Sequence, residues 1–280
     1  MGTKDRSRES TPAVIADLYE IPEVYDLLHA PGTLRDVSLC RRLRRRYARG
    51  PAAEGLAWIE PGCGTGRYVI ALANAGCEAV GIDLSESMIA FARRRAERRR
   101  SERGSATFHV GDMESMESAV GRGRFDGALN LINSIRHLMT DRSLDRHLAS
   151  AAGVLRPGGV YIVGISMAMY GHESPTEDVW RASRGSASVV QVVQYDPPTA
   201  SRGSAARVER VYSHITMTTP ARQREYVSSY TLRCYSRGQW MGAIERSPLR
   251  LAAVVDESGR EIDVPELGYG IYVLRRPLGR

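Results

Sequence analysis

Between Glu60 and Gly66 the chain reads Glu-Pro-Gly-Cys-Gly-Thr-Gly, a carboxylate followed by three glycines at alternate positions. Gly62, Gly64 and Gly66 allow a sharp turn and leave main-chain N–H groups open to a ligand, with no Cβ in the way. An apolar run from Leu56 to Ile59 precedes the turn, and a helix-like pattern from Arg67 to Asn74 follows it. Strand, glycine turn and helix in that order make the first half of a nucleotide-binding βαβ unit, whose helix N-terminus faces the ligand with free N–H groups. A second carboxylate, Asp83, ends the next apolar strand about 20 residues on, where such folds offer an acceptor to ribose hydroxyls. Taken alone, the turn is also compatible with an ordinary strand-to-helix connection.

The spacing separates two ligands. A dinucleotide fingerprint from Gly62 would need a small residue at position 67, and Arg67 stands there. The Glu-x-Gly-x-Gly-x-Gly form instead resembles motif I of the class I S-adenosylmethionine (SAM)-dependent methyltransferases. Three more stretches extend the resemblance in order over residues 56–166: Asp83-Leu84-Ser85-Glu86-Ser87-Met88, then Gly111-Asp112-Met113, then Leu155-Arg156-Pro157-Gly158-Gly159 before an aliphatic strand. The resemblance implies SAM as cofactor. It would be held by Glu60, Gly62, Cys63, Gly64, Thr65, Gly66 and Arg67 around the turn, by Asp83, Leu84 and Met88, by Asp112 and Met113, and by Asn130 and Leu131 at the end of the fourth strand. In that family the acidic residue before the turn lies near the cofactor's ammonium. The counterpart of Asp112 approaches the adenine amino group, and the following side chain packs on the ring. An Asp after a strand is equally a plain helix cap.

Methyl transfer from a sulfonium is an in-line displacement, so the enzyme must hold the nucleophile about 3–3.5 Å from the methyl group and keep water out. For an amine, a proton must also be taken or oriented. Asn133-Ser134-x-x-His137-Leu138 leaves the fourth strand where the methyl would point, and resembles a stretch of glycine N-methyltransferase-like and amino-sugar N-methyltransferases. His137 is the candidate base or orienter, with a rate limb expected near pH 6–7 if its pKa is ordinary. Asn133 is the candidate ligand for a substrate carboxylate or amide. The alternative for His137 is a histidine bonded to backbone at a helix start. Tyr25, in the pattern Leu-Tyr-Glu…Val-Tyr-Asp with Tyr19, matches a tyrosine that closes over SAM in small-molecule members. The plainer alternative has both rings packed on the domain with their hydroxyls in water.

These residues need an α/β scaffold, and the expectation is a Rossmann-like, seven-stranded class I methyltransferase sheet with an antiparallel β insertion after the fifth strand. Residues 1–50 read as a tail and helical cap, with residues 1–12 disordered, two short helices broken at Pro22 and a longer helix from Leu34 to Tyr47. Residues 51–166 and 236–280 form the SAM-binding core. The fourth strand, Phe125 to Ile132, leads into a helix reaching Leu155, and the last two strands run Leu249 to Val255 and Tyr269 to Leu274. Residues 167–235 form the insertion, with strands at Ser188–Tyr195, Val208–Thr218 and Tyr226–Tyr235, and resemble the lid of small-molecule N-methyltransferases. Arg181, Arg184, His214 and Arg233 of this segment are candidates to meet an anionic substrate. Ser236-x-x-Gln239 is a capping box for the helix that follows.

Composition bounds the partners. The net charge is +7, yet Lys4 is the one lysine among 39 basic residues, which points to an arginine-rich coding bias more than to a nucleic-acid surface. The densest basic run, Arg93 to Arg103, falls on an outer helix and reads as a solvated face. No apolar run approaches the roughly 20 residues of a membrane helix. The polar first residues do not resemble a secretory signal, and the four cysteines form no Cys-x-x-Cys pair, so a reducing cytoplasm and no structural metal are expected. The functional expectation is a SAM-dependent methyltransferase acting on a small molecule, at nitrogen, with nucleic acid disfavoured, no membrane partner and a homodimer left open. The alternatives are methylation of RNA or protein, or a SAM-binding regulatory subunit without turnover.

Overall fold

The computed structural model describes residues 14–50, 56–99, 101–199 and 206–279. The expected disorder of residues 1–12 lies outside them. In chain order the strands are β1 (Val14–Ile15), β2 (Ala57–Pro61), β3 (Glu78–Asp83), β4 (Ser105–Val110), β5 (Phe125–Asn130), β6 (Leu155–Met167), β7 (Thr176–Arg184), β8 (Ala187–Asp196), β9 (Val208–Thr218), β10 (Gln223–Arg233), β11 (Arg250–Val255) and β12 (Gly268–Arg275). The helices are α1 (Pro22–His29), α2 (Thr33–Tyr47), α3 (Arg67–Asn74), α4 (Glu86–Arg98), α5 (Glu117–Val120), α6 (Asp141–Val154) and α7 (Arg237–Arg246).

A seven-stranded sheet runs β11-β12-β6-β5-β2-β3-β4. The strands β6, β5, β2, β3 and β4 are mutually parallel and β12 is antiparallel to β6, the expected Rossmann-like class I arrangement. Strand order reverses between β2 and β5, and ligands of such sheets sit outside the strand ends at that point. Because both faces are covered, β2 is buried along its whole length, with Trp58 and Ile59 fully buried and Glu60 its one charged residue. One face packs Leu144, Leu148 and Trp240 beneath α6 and α7, the other Val69, Leu72 and Ile89 beneath α3 and α4. Truncating Trp58 to Ala would cost about 3–5 kcal/mol.

The insertion is a second sheet, ordered β1-β10-β9-β8-β7. Three differences from the sequence expectation have physical causes. Residues 14–15 form a strand parallel to β10 rather than a helix, and only a single 3-10 turn, Leu18–Glu20, separates them from α1. Strand β7 is additional to the three expected. It is an edge strand whose side chains are almost all exposed, so no apolar alternation marks it. The helix expected to run on to Leu155 is split: Ser134–His137 is a 3-10 turn, and α6 restarts at Thr140, whose side chain caps Ser143 N. The capping box of α7 is present as expected. No helix of the described residues is long and apolar enough to cross a membrane.

Candidate active site

The end of β2, the glycine turn and the start of α3 are fixed by backbone geometry and one carboxylate. Gly62, Gly64 and Gly66 all have positive φ, a region in which only glycine is unstrained. Asp83 Oδ2 accepts from Gly64 N at 2.7 Å and Oδ1 from Ser85 N at 2.9 Å, so this side chain ties the turn to the start of α4. Burial raises the Asp83 pKa, and these N–H groups pull it back. Glu60 is buried; burial holds its carboxyl well above the usual range, opposed by Arg67 and by the Val69 N–H of α3.

Two buried acceptors flank Gly62 without a donor among the described residues: Glu60 Oε2 and Asn130 Oδ1. Asn130 Nδ2 donates to Pro61 O at 2.8 Å. Orphaned buried acceptors are costly and call for a donor. The ammonium group of SAM is such a donor, and Asp83 lines the cavity over the same turn, so the residues present fit the cofactor.

A cavity of about 380 Å³ opens over this turn, and its lining includes Tyr25, Gly62, Gly64, Asp83, Leu84, Met113, Asn133 and His137 among the residues expected from sequence. Others expected stand behind its wall. Cys63 is buried with its sulfur packed toward Gly81, and Thr65 Oγ1 donates to Asp26 at 3.0 Å. Arg67 reaches Tyr68 and Thr33, Met88 is fully buried, and Leu131 lies in the core beside α3. At Gly66 a Cβ would lie 2.4 Å from the Phe108 ring, so that glycine answers to packing rather than to a ligand. Asp112 sits between the lining residues Gly111 and Met113, with Oδ1 accepting from Glu114 N at 2.8 Å, as a cap does.

The two tyrosines have separate places. The Tyr25 ring lies over Gly64, 3.3 Å from where a Cβ would be, and thus closes on the turn. Tyr19 instead reaches His137, with its hydroxyl 2.8 Å from Nε2. His137 also packs on the Tyr230 ring. Burial and the nearby Arg136 guanidinium lower the His137 pKa to about 4, so the ring is neutral at physiological pH, and the limb expected near pH 6–7 moves out of that window. Asn133 is a correction of another kind. Its Oδ1 accepts from Ser166 N at 2.7 Å and its Nδ2 donates to Ser166 Oγ at 3.2 Å, so the amide braces β6 rather than waiting for a substrate carboxylate.

Sequence reasoning missed the far wall, formed by Trp180, Tyr195, Glu209 and Tyr230 from the insertion and by Arg136. Arg136 is buried and donates to Glu209 Oε2 at 3.0 Å and to Arg233 O at 2.9 Å. The arginines expected to meet an anion are engaged elsewhere: Arg184 pairs with Asp26 and Arg233 with Asp141, while His214 faces Glu225. Arg181 is exposed and does not line the cavity. Ile132 and Asn133 both have positive φ (56° and 62°), and for a β-branched residue this is a true outlier of the kind that gathers at functional sites.

A methyltransferase domain family model matches residues 59–159, the stretch that carries the glycine turn, Asp83 and the Pro-Gly-Gly turn. The chain is a SAM-dependent methyltransferase. Over 244 residues this methyltransferase is 25% identical to the dTDP-3-amino-3,4,6-trideoxy-alpha-D-glucopyranose N,N-dimethyltransferase of Streptomyces venezuelae, covering 84% of this chain and 92% of that one. It is 34% identical over 147 residues to the dTDP-3-amino-3,6-dideoxy-alpha-D-glucopyranose N,N-dimethyltransferase of Streptomyces fradiae, covering 51% and 52%. Its fold is similar to that of SAM-bound CalS10, an amino pentose methyltransferase from Micromonospora echinaspora, with TM-score 0.64, 20% identity and coverage of 95% and 99%.

Proposed function

We propose that this enzyme transfers the methyl group of SAM to the amine of a small acceptor of the amino-sugar class. The observation that carries the reading is one cavity that joins Gly62, Gly64 and Asp83 to an aromatic chamber of Tyr19, Tyr25, Tyr230 and His137. Likeness to two amino-sugar N,N-dimethyltransferases supports nitrogen as the nucleophile. SAM, when bound, supplies an electrophilic methyl group on a sulfonium. Glu60, Asn130 and Asp83 would hold it from the turn side, with Met113 and Leu84 as apolar walls.

What the chain itself contributes is positioning and exclusion of water. Residues 167–235, with the segment that carries Tyr19 and Tyr25, act as a cover over the acceptor, and the aromatic rings replace solvent around the reacting nitrogen. An amine attacks only without its proton. A ring with a pKa of about 4 is a poor proton acceptor at neutral pH, so His137 orients a neutral amine through a hydrogen bond and the proton leaves to solvent beforehand. Glu209, steadied by Arg136, favours the cationic amine that methylation produces. Such an enclosed chamber does not favour RNA or protein as acceptor. The test is label transfer from methyl-labelled SAM to a panel of amino sugars, their hydroxyl analogues and RNA. Label in the amino sugars alone is expected, and label in RNA alone would overturn the reading.

A further inference from the structure

Resting on that reading, a second cavity narrows the acceptor class. It has a volume of about 530 Å³ and meets the first along Ile132, Asn133, Arg136, Trp180, Tyr195 and Glu209. The acceptor's reacting end belongs in the first cavity, so the rest of the molecule extends into the second. Its charged lining is Arg35, Asp36, Arg136, Asp178, Glu209 and Glu257. Both cations are already committed. Arg35 pairs with Asp36 at 3.1 Å and Arg136 with Glu209 at 3.0 Å. Asp178 and Glu257 have no ion-pair partner among the described residues, and both are exposed to the cavity mouth. Four carboxylates against two guanidiniums leave an acidic chamber on a chain whose net charge is +7.

A nucleoside diphosphate brings two phosphate charges and needs Arg, Lys or a helix N-terminus to meet them. This cavity offers it two unpaired carboxylates instead. Specificity by repulsion is as effective as specificity by contact. We propose that the outer cavity selects an amino sugar that carries a second ammonium group and no phosphate, and disfavours a nucleotide-linked one. Asp178, near the start of the exposed edge strand β7, and Glu257, in the turn after β11, are the selecting residues. Trp180, Tyr195 and Tyr269 supply apolar faces for the sugar rings.

The experiment compares kcat/KM for two probes, dTDP-3-amino-3,6-dideoxy-α-D-glucopyranose and a phosphate-free disaccharide bearing two amino groups. Wild type should prefer the diamino disaccharide by about tenfold or more, and the preference should shrink with added salt. The exposed double variant Asp178→Asn/Glu257→Gln should narrow the ratio by about tenfold, with SAM affinity unchanged. A preference for the dTDP sugar, or a ratio that the double variant leaves alone, overturns the inference while amine methylation stands. Absence of label in both probes overturns the amino-sugar reading and this inference with it.

Discussion

One end of the cleft is built on main chain; the other is built on side chains. The end proposed for the cofactor is drawn from the glycine turn after β2 and from the ends of β3 and β4, with its geometry set by positive-φ glycines and by Asp83 bonding Gly64 N and Ser85 N. The acceptor end takes Tyr19 from the N-terminal segment, Arg136 and His137 from the turn after β5, and Trp180, Tyr195, Glu209 and Tyr230 from four strands of the insertion. A backbone-built site tolerates few changes of conformation and many of distant side chains. A side-chain-built site can be re-specified one residue at a time, which suits an unvarying cofactor opposite a changeable acceptor.

The sharpest break of that contrast is at Gly64. Gly64→Val puts a β-branched residue at φ +50°, where the backbone strain alone costs about 1–3 kcal/mol. It also drives a methyl into the Tyr25 ring, so calorimetry should find no SAM binding and the melting temperature should fall. Next comes Asp26, a buried carboxylate that accepts from Thr65 and pairs with Arg95 at 2.5 Å and Arg184 at 2.8 Å. Leaving those guanidiniums unpaired should cost about 3–5 kcal/mol in denaturant melts of Asp26→Ala. Asp26→Asn should recover part of that loss.

Asp83→Ala should weaken SAM binding by about 1.5–3 kcal/mol, roughly ten- to a hundredfold in Kd, on a chain that still folds. A pH effect belongs to the cofactor wall as well. His147 holds Met113 O at 2.9 Å and Tyr161 Oη at 2.7 Å, and burial lowers its pKa to about 4. The folded state refuses a proton that the unfolded chain accepts below about pH 6.5, so this contribution is full above that pH and lost as pH falls toward 4. Unfolding free energies should drop by about 2 kcal/mol between pH 7 and pH 4.5 on its account, and the slope should flatten in His147→Phe. The smallest effect is expected at the acceptor end. His137→Asn should lower kcat by the worth of one neutral hydrogen bond, about 0.5–1.5 kcal/mol or up to tenfold, with SAM affinity unchanged. A loss of 10²-fold or more would instead make His137 a general base.

The same contrast governs how much the sequence disclosed. Glu60, the three glycines and Asp83 lie within 24 consecutive residues, and alternate glycines after an apolar strand have a local physical cause that any reader of the chain can find. The seven-stranded sheet was legible for the same reason, since most of its strands are largely apolar stretches bounded by turns. Trp180, Glu209 and Tyr230 gave no such signal. Each is one polar or aromatic residue in a half-buried or exposed segment, and their meeting depends on how an entire second sheet docks. Asn133 was legible as a special residue but not as a brace, because Ser166, its partner, is 33 positions away on β6. Arg184 and Arg233 looked like free cations only while Asp26 and Asp141 could not be placed beside them.

The short strand β1 has a reach out of proportion to its two residues. Val14 and Ile15 pair with Tyr226 and Val227 of β10, Leu18 N donates to Ser228 Oγ at 3.2 Å, and Asp26 grips Arg184 of β7. The segment that drapes Tyr25 over Gly64 is thereby stitched to the strands that bear Glu209 and Tyr230. Were this segment to lift for exchange of spent cofactor, the acceptor chamber would open with it, and the two compartments would share a single door. An acceptor due a second methyl group would meet bulk water between the first addition and the next, and the singly methylated molecule would have to compete for re-entry with every fresh one.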